Sequence, residues 1–119
     1  MHSIEKSQLN NTHQVFLAAQ NMTPTPEKQL WAAVLRQAIQ DLKKLHRQML
    51  KTPYVVSDKK FKREARCLQY YFTTNDVYDG GLHFICFYLN LEAENVQLKI
   101  AAQYLNSIME RIKRVEMAH

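Results

Sequence analysis

Apolar positions recur at intervals of three and four along most of this chain. Trp31, Val34, Leu35, Ala38, Leu42, Leu45 and Met49 form one stripe, while Arg36, Gln40, Lys43, Lys44 and Arg47 fall on the other side. That alternation is the signature of an amphipathic helix. Thr25-Pro26-Glu27 gives it a start: a hydroxyl N-cap, a proline suited to the first helical position and an acid that complements the helix dipole. The pattern therefore predicts a helix over 26–49, closed by Pro53, because the residue before a proline avoids the helical region. Tyr54-Val55-Val56 reads as a short apolar linker, with Ser57 as the next cap and Asp58 in the first turn that follows. In that second helix Phe61, Ala65, Leu68 and Phe72 share a face, and Lys59, Lys60, Lys62, Arg63 and Arg66 occupy the rest. Thr73-Thr74-Asn75-Asp76 breaks it, and Asp79-Gly80-Gly81 holds the sharpest turn. A short helix over 82–89, a turn at Asn90-Leu91 and a long helix over 92–115 complete the reading. The long helix carries two apolar rows. Val96, Ile100 and Tyr104 form one; Leu98, Ala101, Leu105, Ile108, Ile112 and Val115 form the other. Two rows predict either a wide buried face or a partner chain.

Composition agrees with this pattern. The 119 residues fit one domain, and 46% apolar content supplies a core. Two glycines and three prolines are too few for the many turns of an all-β protein. The expected fold is all-α: a compact bundle of about four helices with a long C-terminal helix. The segment 1–22 is polar apart from Val15 to Ala19 and reads as an N-terminal arm or a short docked helix, ahead of a single helical domain over 23–119. No apolar run reaches the ~20 residues that span a bilayer, and the N-terminus lacks the apolar core of a secretory signal. Two cysteines, Cys67 and Cys86, make no disulfide framework. A cytoplasmic protein without membrane contact is the expectation.

Charge is uneven. The formal net charge is +5. Residues 24–53 carry a net +4, 54–75 a net +3 and 99–119 a net +2, whereas 76–98 hold four acids and no Lys or Arg. A basic surface attracts polyanions by releasing their counterions. Lys43, Lys44, Arg47 and Lys51 end the first helix, and Lys59, Lys60, Lys62, Arg63 and Arg66 begin the second. The chain folds back between them, so these nine cations are expected at one end of the domain, placed to hold phosphates without reading sequence.

One spacing carries more than amphipathicity. In 85–100, ICFYLNLEAENVQLKI, Ile85 and Leu89 lie four apart, Cys86 offers a small residue for a helix crossing, and Asn90 tolerates the left-handed turn conformation. Leu91 plugs the turn, and Val96 and Ile100 face inward from the second helix. These are the requirements of a helix-turn-helix hairpin, expected over 82–105. The segment resembles helix-turn-helix segments of bacterial regulators and sigma-like proteins. Across residues 30–105 the chain also resembles small helical proteins of phages and mobile elements, through LWAAVLRQAIQDL (30–42), ARCLQYYF (65–72) and FICFYLNLEAENV (84–96). The resemblance implies a DNA-associated helical protein. The chain departs from that pattern after the turn. Arginines usually follow there, and here the outward residues are Glu92, Ala93, Glu94, Gln97 and Leu98, with Lys99 nearby. Asn95, Gln97 and Lys99 are the expected base or backbone contacts.

Other chemistry finds little support. His83 and Cys86, three apart on one helix, have a zinc-compatible spacing. A structural site needs four ligands, though, and Cys67 and Asp79 would have to come from elsewhere. No glycine-rich phosphate loop or nucleophile motif occurs. The aromatic run Tyr70-Tyr71-Phe72 reads as aromatic core with polar tips rather than a base-stacking platform. No catalytic residue, metal, cofactor or small-molecule substrate is expected. Two functions remain. One is a nucleic-acid-associated regulator that uses the basic helices. The other is a protein-interaction module or homodimer that uses the acidic hairpin with Leu98, Leu105 and Ile112 on the last helix.

Overall fold

The computed structural model describes residues 25–118, and the segment expected as an arm or docked helix lies outside them. Five α-helices follow in order: α1 (Pro26–Lys51), α2 (Lys59–Thr73), α3 (Leu82–Tyr88), α4 (Ala93–Ile100) and α5 (Asn106–Ala118). A 3-10 turn (Pro53–Ser57) joins α1 to α2, and a π turn (Ala101–Leu105) runs α4 into α5 without a break. No strand occurs among the described residues, so the all-α bundle with a long C-terminal helix is the observed architecture.

Helix α1 begins as its sequence dictates. The Thr25 hydroxyl accepts from the Lys28 N–H at 3.1 Å, Pro26 opens the first turn, and Glu27 accepts the Tyr88 hydroxyl proton. Its buried row is Ala32, Leu35, Ile39, Leu42, Leu45 and Met49. Trp31, Val34 and Ala38, expected within the stripe, flank it half-buried. The inward face is thus rotated by a fraction of a turn, with Leu35 and Leu42 at its middle. Helix α1 forms the spine, packing against α2, α3, the π turn and α5.

Residues 54–56, the expected short apolar linker, are helical rather than irregular. They form the 3-10 turn, which drops Val56 into the core. Asp58, not Ser57, caps α2: its carboxylate accepts from the Phe61 N–H at 3.4 Å. A carboxylate reaches the orphan amides as a serine would and adds charge complementarity to the dipole. Phe61, Ala65 and Phe72 are buried on α2, and Leu68 is half-buried beside them.

The hairpin of α3 and α4 has the predicted anatomy. Ile85, Cys86, Leu89, Val96 and Ile100 are all buried. Asn90 adopts φ 61°, the left-handed conformation that a short polar side chain tolerates. The Leu91 N–H donates to the Cys86 carbonyl at 2.7 Å and closes the turn. Upstream, Gly80 takes φ +84° beneath Trp31, so its missing side chain serves the backbone.

Leu98 apart, the two apolar rows of the last helical stretch merge into one. In an unbroken α-helix, Val96 and Ile100 would lie about 120° around from Leu105, Ile108 and Ile112 at the ~100° step per residue. The π turn inserts one extra residue into the winding. That turn rotates the later set onto the earlier one, and all five residues are buried at 3% exposure or less. Leu105 and Ile112 are therefore core residues. The interaction surface expected of them is corrected: both are buried, and of the three residues expected there Leu98 alone is exposed.

Candidate nucleic-acid interface

The cations of α1 and α2 meet across a groove. Their helices are anchored by Leu45 on one side and Phe61 on the other, with Val55 of the 3-10 turn between them. This leaves a hollow of about 570 Å³ with Leu45, Val55, Phe61 and Leu68 as its floor. Lys44 from α1 and Lys60 and Arg63 from α2 stand on its walls. Asp41, Asp58 and Glu64 stand there too, so the groove has mixed charge. Two of those acids have internal work: Asp41 accepts from the Gln37 amide at 2.9 Å, and Asp58 caps α2. Arg47 and Lys51 are exposed on α1 outside this groove, and Lys43 is half-buried. The expected gathering of nine cations is thus partial. Lys44 joins the α2 group, and the remaining α1 cations point elsewhere.

A second, more open cleft of about 690 Å³ runs along α2, lined by Lys59, Lys62, Arg63, Arg66, Cys67 and Tyr70. Arg63 and Cys67 border both hollows. Two of the cations here are already engaged. Arg66 Nη2 sits 2.8 Å from one Glu116 oxygen and 3.0 Å from the other, and Lys62 Nζ lies 3.8 Å from the same carboxylate. Glu116 is on α5, so this cluster ties the end of the chain to the basic face. Its hydrogen bond to Arg66 holds the Glu116 carboxyl below its ordinary pKa, with the charges of Arg66 and Lys62 adding to it. The Lys62 and Arg66 side chains therefore serve first as an intramolecular clamp, a role charge counting missed. Lys59, Lys60 and Arg63 are the exposed cations of α2 outside that clamp.

The surface of α4 is poorly suited to reading bases. Gln97 is half-buried and donates to the Thr74 carbonyl at 3.4 Å, with the His83 ring 3.5 Å away. It pins the loop after α2 and is not presented outward. Asn95 is exposed and donates to Glu92 at 2.9 Å. Lys99 is half-buried, whereas Leu98 is 68% exposed. Phe87 on α3 is exposed to 85%, an exposure that the apolar pattern of 82–89 did not predict.

The remaining reactive groups are packed away or lie apart. Burial pushes the Cys86 thiol up to about 11, so it stays a neutral core residue. The Tyr71 hydroxyl is buried without a hydrogen-bond partner among the described residues. Burial pushes it up to about 12, with Cys86 and Tyr78 contributing less. Among the described residues no three His, Cys, Asp or Glu side chains gather in a metal-like cluster. Nor is any helix there long and apolar enough to cross a membrane. Comparison with protein-family models, curated proteins and solved structures finds no match for this chain.

Proposed function

We propose that this chain is a small, non-enzymatic, nucleic-acid-associated regulatory protein that holds phosphates on the basic face of α2. One observation carries the reading: Lys59, Lys60 and Arg63 are exposed on consecutive turns of one helix, joined across a groove by Lys44. Cations one helical turn apart on a rigid element neutralise successive phosphates and release their counterions. The resemblance to helical proteins of phages and mobile elements, and a cytoplasmic setting, are consistent with it. Since α4 offers few base readers, binding is dominated by backbone contacts.

The test is a salt titration of binding to mixed-sequence DNA, single- and double-stranded. Affinity is expected to fall steeply with salt. Replacing Lys59, Lys60 and Arg63 together by Gln is expected to flatten the slope on duplex by about 0.9 per lost phosphate contact. An unchanged slope would remove the assignment to α2. A second reading, a protein-interaction module, is favoured by the exposure of Leu98 and Phe87 on the acidic hairpin. Absence of binding at low salt to any nucleic acid would leave it as the better account.

A further inference from the structure

Residues 70–72 are three consecutive aromatics with three different fates. Phe72 is core at 1% exposure, Tyr71 is half-buried with its ring edge-on to Phe72, and Tyr70 is 54% exposed. Tyr70 continues a line of cations. Lys59, Arg63, Arg66 and Tyr70 are spaced four, three and four apart, which places them on one side of α2 over roughly 16 Å at the helical rise of 1.5 Å per residue. The open cleft they line has mostly apolar walls and a cationic rim. A planar apolar group with an attached anion suits such a surface, and a nucleobase with its phosphate is that kind of group.

We infer that the α2 cleft binds a single-stranded polynucleotide, with an unpaired base stacked on Tyr70 and phosphates on Lys59 and Arg63. This rests on the nucleic-acid reading above and narrows its ligand. In a duplex both faces of each internal base are covered by neighbours, so an exposed ring gains little from it; an unpaired base presents its face freely. The Tyr70 ring lies between an acid and a cation along the same stretch of chain. Its hydroxyl donates to Asp76 at a long 3.4 Å, and Arg66, held by Glu116, stands one turn behind it. The strand has an onward path as well, because Arg63 borders both this cleft and the groove that holds Lys60 and Lys44. Stacking accepts any base, so sequence preference is expected to be weak.

The experiment is fluorescence anisotropy of the full chain with labelled oligo(dT), oligo(rU) and a duplex of equal length, at low salt. Single strands are expected to bind more tightly than the duplex. A difference between the dT and rU arms identifies DNA or RNA as the preferred source, and equal binding identifies a surface blind to the sugar. Tyr70→Leu keeps apolar bulk without the ring, and is expected to weaken single-strand binding on the order of tenfold with duplex binding unchanged. Tyr70→Phe is expected to bind like the parent, and circular dichroism checks that both variants remain helical. If Tyr70→Leu binds single strands like the parent, or if duplex is preferred, the inference is overturned while the nucleic-acid reading stands. If no strand binds, both are overturned.

Discussion

Asn90 shows how much one backbone angle decides. At φ 61° it turns the chain between α3 and α4, where most side chains would clash with their own backbone. Asn90→Gly is expected to leave stability at or above the parent, and Asn90→Val to cost about 1–2 kcal/mol; denaturant unfolding measures both. Asn90 was legible in the sequence because its type matches a turn requirement at a recognisable spacing. His46 was less so. Its ring meets Tyr104 edge-on at 5.5 Å, and burial lowers its pKa from the ordinary 6.5, with Arg111 lowering it further. Between its folded value and 6.5 the unfolded chain binds more proton than the folded one, so stability falls as pH drops through that window. His46→Gln is expected to flatten the decline between neutral and mildly acid pH. A decline of unchanged steepness in that variant would assign it to other groups.

At the scale of elements, the π turn over Ala101–Leu105 explains what amphipathicity alone misread. Periodicity assumes a constant winding, and one extra residue changes the face that every later position presents. Leu105→Ala is accordingly expected to cost about 2–5 kcal/mol, as a core truncation does. Leu98→Ala should stay within about 0.5 kcal/mol, as expected of an exposed site. Equal small effects would return Leu105 to the surface. Deletion of the exposed Ala102 would restore regular spacing, since Val96, Ile100 and the shifted Leu105, Ile108 and Ile112 then fall on one α-helical stripe. That variant is expected to remain helical and to unfold cooperatively in a thermal melt. The boundaries of α1, α2 and α3 were legible to within about two residues because caps and prolines mark them. The 3-10 turn was hidden, since Tyr54-Val55-Val56 has too few residues to display a period.

For the molecule as a whole, the clamp between α2 and Glu116 couples fold and surface. Lys62 and Arg66 count toward the basic charge of the sequence, yet a carboxylate fifty residues away along the chain occupies Arg66. No local pattern could announce that pairing. Glu116→Gln frees both cations, and tighter binding of polyanions with a steeper salt dependence is the expected result; weaker binding would mean that the clamp positions the site. The pair's contribution to stability is present above the ordinary glutamate pKa and is lost as pH falls through the depressed folded value. A different long-range contact has a practical consequence. Trp31 is the chain's one tryptophan; its ring stands edge-on to Phe84 at 5.2 Å and lies over Gly80. A single indole at the junction of α1 and α3 is a built-in spectroscopic reporter. Its emission will shift to the red when that junction opens to water, so the hairpin's departure from the spine can be timed separately from the melting of the helices themselves.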